Sequence, residues 1–364
     1  MNFDFSEDQR RLQEEIRRVL ADHSSSANVR RVLEGDEAYC ANTWAQLAAL
    51  GALGLAINEA DGGADMGMLE LCLLAEESGR ALAAVPLASC LYQAAELIRR
   101  SGNVAQRAAW LPRIASGEVI ATIIAPLHAQ TILPAAPAVL SDRMLSGSFN
   151  AVADGLSATL AVVLAGDALV LLDLNAPQVT RLAQQSLDPT RPLARVQCDG
   201  APVEVLLATG GLALTRQVIN GAAVLLAFEQ VGGAEAALYA ARDYALERKA
   251  FGRPIGGFQA VKHKLADMFV AVELARSHAY YGAWALATDA PELPRTAAAA
   301  RVAASDAYIM VSEESLHLHG GIGYTWEMDC HLHLRRARSL AQVLGSVHVW
   351  REALAAHLIE EQAA

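Results

Sequence analysis

Aromatic residues make up only 5% of this 364-residue chain although 53% of it is hydrophobic, so Ala and Leu supply most of the apolar surface. That balance suits helices packed face to face, and a mostly α-helical protein is expected. Basic residues are also scarce: 29 Lys and Arg stand against 40 Asp and Glu, a net charge of -11. A surface built to track nucleic-acid phosphates needs clustered excess cations, so nucleic acid is excluded as a partner class. The five cysteines are odd in number, scattered and free of any Cys-x-x-Cys pair, which reads as reduced thiols in a cytoplasmic protein. The acidic start Met1-Asn-Phe-Asp-Phe-Ser-Glu-Asp8 lacks the basic and apolar regions of an export signal. The most apolar stretches, Leu156 to Leu172 and Val218 to Phe228, are interrupted by Asp167 or too short to span a bilayer, so no membrane insertion is expected. There is no internal repeat or low-complexity tract.

What is present divides into three parts, with a length that suits two or three structural units. Ser6 followed by Gln9 reads as a capping box, and Leu12, Ile16, Val19 and Leu20 then recur on one helical face. Helical pattern continues through Trp44, Leu47 and Leu50, where Gly51 is placed to end a helix, and again from Leu69 to Leu82, with Asp61-Gly-Gly as a turn between them. From Gly117 to Gly210 apolar runs such as Ala121 to Ala125, Leu160 to Ala165 and Leu169 to Leu172 alternate with Pro, Gly and Asp, the pattern of short strands. Helical pattern returns at Gly211 and runs to the C-terminus, broken near Pro291, Pro294 and Gly320-Gly321. The expected domains are therefore 1–116 (helical), 117–210 (β) and 211–364 (helical bundle).

The segment Arg248-Lys-Ala-Phe-Gly-Arg-Pro-Ile-Gly-Gly-Phe-Gln-Ala-Val-Lys-His-Lys-Leu-Ala-Asp-Met268 resembles the C-terminal signature of the acyl-CoA dehydrogenases. Leu111-Pro-Arg-Ile-Ala-Ser-Gly-Glu118 and His319-Gly-Gly-Ile-Gly-Tyr324 stand at that family's places and in its order, so the resemblance covers nearly the whole chain. It implies a mostly α fold of three domains: an N-terminal helical domain, a central β-barrel-like domain and a C-terminal four-helix bundle. It also implies FAD, an acyl-CoA substrate and an electron-accepting flavoprotein. In that chemistry a carboxylate takes the α-proton of the acyl group while the β-hydrogen leaves as hydride to flavin N5.

In this family the FAD is shared across a subunit interface, and the two halves of its site differ here. The half that a subunit lends to its neighbour, around pyrophosphate and adenine, is matched by Arg248, Phe251, Gln259, Gly320 and Gly321. An Arg offers phosphate a charged fork, and glycines let backbone N–H groups come close. The half that holds the flavin ring is eroded. Where the family has Thr-Glu-Pro-Gly-x-Gly-Ser-Asp this chain reads Ile124-Ala-Pro-Leu-His-Ala-Gln130, and where it has Trp-Ile-Thr-Asn-Gly the chain reads Ala151-Val-Ala-Asp-Gly155. The usual base, the Glu of Glu-Gly-Thr nine residues past Arg-Asp-Ala, corresponds to Leu344 in Leu344-Gly-Ser346, and the alternative helix position is Ala222, followed by Ala223. Neither side chain takes a proton.

Glu229, two turns beyond Ala222, is the remaining carboxylate that would serve as a substitute base; otherwise it is a structural partner on its helix. Glu327 reads as an interface or capping residue, and His263, inside the signature, as a cofactor or interface contact. His317, His319, His331 and His333 suggest metal by composition, but His-x-His on a helix splays its rings and no metal is expected. Arg335, Arg336 and Arg338 read as a solvated or subunit-contact face. Three functions remain open: a non-catalytic subunit completed by a paralogous acyl-CoA dehydrogenase chain, a self-sufficient homo-oligomeric dehydrogenase using Glu229, and a flavin-free scaffold.

Overall fold

The computed structural model describes residues 5–35, 37–125 and 138–363. The fold is mostly α with a central mixed sheet. Contacts divide the chain into two compact units, one of Met1–Gln13, Cys72–Ala83 and Ala223–Ala364, the other of Glu14–Leu71 and Ala84–Ala222.

Helices α1 (Glu7–His23), α2 (Ser26–Leu33), α3 (Ala41–Ala49) and α4 (Met68–Arg80) open the chain. The capping box is present: the Gln9 amide donates to Ser6 Oγ at 3.2 Å and the Ser6 amide to Gln9 Oε1 at 2.9 Å. After α3, Gly51 takes φ +77, the left-handed conformation that glycine adopts without strain. Next come α5 (Leu87–Ser89), a π-helical stretch (Cys90–Ala95), α6 (Glu96–Ser101) and α7 (Val104–Ala115). The motif around Leu111-Pro112 lies on α7 and its C-terminal turn, which Trp44 fastens by donating Nε1 to the Gly117 carbonyl at 3.0 Å.

The strands are β1 (Ala121–Ile124), β2 (Val139–Ser141), β3 (Met144–Ala153), β4 (Leu160–Ala165), β5 (Ala168–Asp173), β6 (Val179–Gln184) and β7 (Leu193–Leu207). Their order is β1-β4-β5-β7-β3-β2, with β6 also paired to β7; β1 runs parallel to β4 and the other pairings are antiparallel. The whole of β4 is buried, which explains its unbroken apolar run. The fifteen residues of β7 alternate between buried and exposed and serve three neighbours.

Helix α8 (Gly211–Glu247) follows, then a hairpin of β8 (Lys249–Ala250) and β9 (Arg253–Pro254), α9 (Gln259–Ala287), α10 (Leu293–His319), α11 (Cys330–Leu340) and α12 (Val347–Ala363). Asp167, in the turn between β4 and β5, caps α8 by accepting from the Gly210 and Leu212 amides at 2.7 and 3.1 Å, and these bonds hold its carboxyl below the usual range. Contrary to the sequence expectation, α8 is long and apolar enough to cross a membrane by length and composition, because helix continues on both sides of Val218–Phe228; 67% of its most apolar window is buried inside the protein, as in a core helix.

Within the first unit α4 and α8 approach backbone to backbone. A Cβ on Gly79 would lie 1.8 Å from the Glu229 carbonyl oxygen, and one on Gly232 would lie 1.9 Å from that of Glu76. The same crossing carries charge. Arg80 meets Glu77 at 3.0 Å and Glu76 at 3.5 Å, and Arg276 of α9 meets Glu235 of α8 at 2.9 Å and also pairs with Glu76. Replacing Gly79 or Gly232 by Ala is expected to force the helices apart and lower stability by about 3 kcal/mol, measurable by chemical denaturation.

Candidate functional site at one end of the helix bundle

The signature residues lie where α8 ends and α9 begins. Phe251 and Gly252 form the hairpin tip with φ +51 and +80, the left-handed pair that a two-residue turn requires. Arg248 is exposed at the base of the hairpin, where its carbonyl accepts from the Ile255 amide at 2.8 Å. Phe251 is 96% exposed, more than any other large apolar side chain among the described residues. Its ring meets Phe258, the N-cap of α9, edge-on at 6.2 Å, and the Arg253 guanidinium lies 4.1 Å over the Phe258 ring. Gln259, exposed, is the first residue of α9.

The glycine turn lies at the same end. Tyr244, one helical turn before Arg248, stacks on His319 with centroids 4.4 Å apart, and His319 is the last residue of α10 before Gly320. His319 Nδ1 lies 2.7 Å from the Ser315 carbonyl, so Nδ1 donates and the ring is fixed against Tyr244. Gly320 takes φ +64, and a Cβ at Gly320 or Gly321 would meet nothing within 4 Å. These glycines leave backbone open outward and fill no internal gap. Lys264 of α9 pairs with Glu314 of α10, so the start of α9 is tied there too. The fold thus gathers Arg248, Phe251, Gln259, Gly320 and Gly321 at one end of the bundle, exposed.

The positions that the resemblance assigns to the flavin ring and the base are different in kind. Pro126 to Gln130 lie outside the described residues. Ala151 and Asp154 have φ +55 and +54, and Asp154, 5% exposed, accepts from Ser89 Oγ at 2.6 Å. Arg181 holds the following turn by donating Nη1 to the carbonyls of Leu156 and Ala158 at 3.1 and 2.9 Å. Leu344 is 3% exposed with φ +61, its carbonyl taking a bond from Trp350 Nε1 at 3.1 Å; Ala222 and Ala223 are fully buried.

Glu229 is fully buried, and Arg336 Nη1 lies 3.4 Å from its Oε1. Arg336 also donates to the Leu82 and Ala83 carbonyls at 3.2 and 3.5 Å. This corrects the surface reading of Arg335, Arg336 and Arg338: Arg336 is 1% exposed because it shares a face of α11 with buried Leu332 and Leu340. That four-residue spacing was the available signal. Arg338 is exposed and pairs with Glu313. A second buried cation, Arg301 on the Ala-rich face of α10, donates to Ser305 Oγ at 2.9 Å, to the Val343 carbonyl at 2.8 Å, and to Gln230 and the Leu340 carbonyl. Burial pushes it down to about 10, against the opposing pull of Glu229.

The histidines have separate partners. His317 is exposed, His331 stacks on Trp326 at 4.8 Å, and His333 Nδ1 lies 3.0 Å from the Tyr308 hydroxyl. Among the described residues no three His, Cys, Asp or Glu side chains converge as a metal site. His263 and Glu327 are exposed. The five cysteines are buried and free; burial pushes Cys90 up to about 12 and Cys198 and Cys330 to about 11, which keeps those three thiols protonated and unreactive.

Family models describe the N-terminal domain of acyl-CoA dehydrogenases over residues 6–118 and the C-terminal domain over residues 209–359. The chain belongs to the acyl-CoA dehydrogenase family, flavin-dependent oxidoreductases of acyl-CoA thioesters. It is 34% identical over 347 residues to acyl-CoA dehydrogenase IpdE2 of Mycobacterium tuberculosis, covering 93% of this chain and 94% of that one. It is 26% identical to the human mitochondrial short-chain specific acyl-CoA dehydrogenase, over 86% of this chain and 81% of the relative. Among solved structures, the Tcur3481-Tcur3483 steroid ACAD G363A variant superposes with a TM-score of 0.88 at 29% identity, covering 98% of this chain and 99% of that one. The ChsE4-ChsE5 complex of Mycobacterium tuberculosis shares the fold with a TM-score of 0.90 at 24% identity, over 99% of each chain.

Arg336→Met removes the cation facing Glu229 and should cost about 3 kcal/mol in denaturant unfolding. Burial, then the charge of Arg336, lowers the His333 pKa to about 4, with Asp329 opposing. The unfolded chain, with this histidine near 6.5, binds the proton more readily, so stability held above pH 6.5 should be lost as pH falls toward 4. His333→Gln should flatten that part of the melting-temperature profile.

Proposed function

We propose that this chain is the subunit of a hetero-oligomeric acyl-CoA dehydrogenase that completes the adenine and pyrophosphate half of the FAD site of a catalytic, paralogous partner. The observation that carries the reading is the contrast between its two halves. Arg248, the 96% exposed Phe251 and the open turn at Gly320 and Gly321 face outward and suit a dinucleotide held from outside. The base positions carry Leu344 and Ala222, and Asp154 is bonded to Ser89 where the family has a flavin-contacting turn. The chain fits the adenine end of FAD, whereas of the two flavin-ring motifs its sequence keeps only Pro126 and Gly155.

Bound FAD supplies the acceptor for the β-hydrogen of the acyl chain. Around it this chain contributes binding and orientation: Arg248 a charged fork for pyrophosphate, Phe251 an aromatic face, Gln259 a side-chain amide, and Gly320 and Gly321 backbone N–H groups. The α-proton goes to a carboxylate of the partner. Glu229, facing Arg336 in the core, serves as a structural anchor. Bulky CoA thioesters, including steroid side-chain intermediates, are the expected substrates, in keeping with the steroid dehydrogenase named for a 29% identical structure. Electrons then pass to an electron-accepting flavoprotein, in the cytoplasm.

The test is the visible flavin spectrum of the chain purified alone and after co-expression with an acyl-CoA dehydrogenase gene that neighbours its own, with acyl-CoA added anaerobically. Flavin and bleaching are expected only in the co-purified complex, and Glu229→Gln should leave that bleaching intact. FAD that bleaches in the chain alone would overturn the reading in favour of a homo-oligomeric enzyme, and flavin in neither sample would favour a scaffold.

A further inference from the structure

Lysine is far scarcer in this chain than arginine. Of its 29 basic residues three are lysines, Lys249, Lys262 and Lys264, and all three fall within sixteen residues; the other 26 are arginines. From Arg248 to Lys264 the segment carries these lysines with Arg248 and Arg253 and no Asp or Glu, so a chain of net charge -11 gathers five cations here. The fold places them beside the half-site. Lys249 follows Arg248 in β8 and stands opposite Pro254 of β9, and Lys262 lies one helical turn beyond Gln259 on α9. Lys264, two residues further, pairs with Glu314 of α10. All three lysines are exposed.

These amines differ from the arginines around them in what they can become. A lysine Nζ that has shed its proton is a nucleophile, whereas a guanidinium stays protonated. The substrates of this family are acyl-CoA thioesters, which are also acyl donors. Nζ attacks the thioester carbonyl, an amide C–N bond forms as the C–S bond breaks, and CoA leaves as a thiol carrying the proton that the amine loses. Neither oxidant nor reductant enters. Each such step removes one positive charge. Three would take the segment from five cations to two and would leave Glu314 unpaired on the helix that ends at Gly320. Pyrophosphate is an anion, and its attraction to the half-site falls with every charge removed.

We propose that Lys249, Lys262 and Lys264 are acylation sites, at which acyl-CoA modifies the unassembled chain and weakens the affinity of its half-site for FAD. This rests on the reading above, in which that half-site receives the FAD of a partner. Composition focuses the chemistry: a protein with lysine throughout would spread acyl groups over its surface, whereas here every side-chain amine lies in this one segment. Among the described residues neither Lys249 nor Lys262 has a carboxylate partner, while Lys264 is held by Glu314, so Lys249 and Lys262 react first.

The test treats the full-length chain with butyryl-CoA, maps the acylated residues by peptide mass spectrometry, and then combines the chain with the related dehydrogenase to titrate FAD by its visible spectrum. Acyl groups are expected on Lys249 and Lys262 ahead of Lys264, with FAD held about tenfold or more weakly by the complex of the treated chain. The exposed positions should leave the melting temperature unchanged. The Lys249→Arg/Lys262→Arg/Lys264→Arg variant keeps the charges without the amines, and butyryl-CoA should leave its complex unaffected. Lys249→Gln/Lys262→Gln/Lys264→Gln should reproduce the loss without treatment. Lysines that stay free of butyryl groups, an acylated chain whose complex holds FAD undiminished, or an equal loss in the arginine variant would each overturn the proposal and leave the functional reading standing. An untreated parent chain that adds nothing to the flavin affinity of the related dehydrogenase would instead sink the functional reading, and the proposal with it.

Discussion

Helices α4 and α8 cross at a separation that only glycine permits, and the first compact unit is organised around that contact. With Gly79 and Gly232 facing carbonyl oxygens of the opposite helix, side-chain packing is replaced there by backbone contact, and charged residues are drawn into the interior. Arg80 and Arg276 meet Glu76, Glu77 and Glu235 beside the crossing, a network whose geometry tolerates little sliding of one helix along the other. One turn before Gly232, Glu229 and Gln230 face inward and engage Arg336 and Arg301. Those arginines in turn hold the carbonyls of Leu82 and Ala83 and of Leu340 and Val343. The turn bearing Leu344 is therefore anchored through α8, although its own side chain has no polar role.

Much of this fold was legible because its signals are local. The Ser6–Gln9 capping box, the stop at Gly51, the break at Pro294 and the end of α10 at Gly320 all depend on residues within a few positions of one another. β4 was equally plain, being buried along its whole length. β7 was harder to see, since its buried residues alternate and the phase shifts near Gly200, so no apolar run marks it. Buried arginines were missed for a related reason. A charged residue reads as surface unless its helical neighbours are weighed, and around Arg336 and Arg301 those neighbours are Leu332, Leu340, Ala297 and Ala304, all buried.

The candidate site was legible as residue types but not as a place. The signature and the glycine turn are separated by some seventy residues, and their meeting at one end of the bundle depends on the antiparallel course of α9 and α10 and on the Tyr244–His319 stack. The differences between the two halves have a common physical form. Positions that face outward have open backbone and exposed side chains, while of those the resemblance matches to the base and the flavin ring, Leu344 packs in the core and Asp154 bonds to Ser89.

The hairpin has a further consequence for the life of the protein in a cell. A phenyl ring 96% exposed at the tip of a tight turn is the kind of surface that chaperones and proteases recognise on incomplete assemblies. In the assembly proposed above that mark would be hidden, and a newly made chain without its counterpart would carry it continuously. Under that proposal abundance of the protein would be tied to supply of the partner, and the hairpin that presents the aromatic ring would also limit how long an unassembled subunit persists.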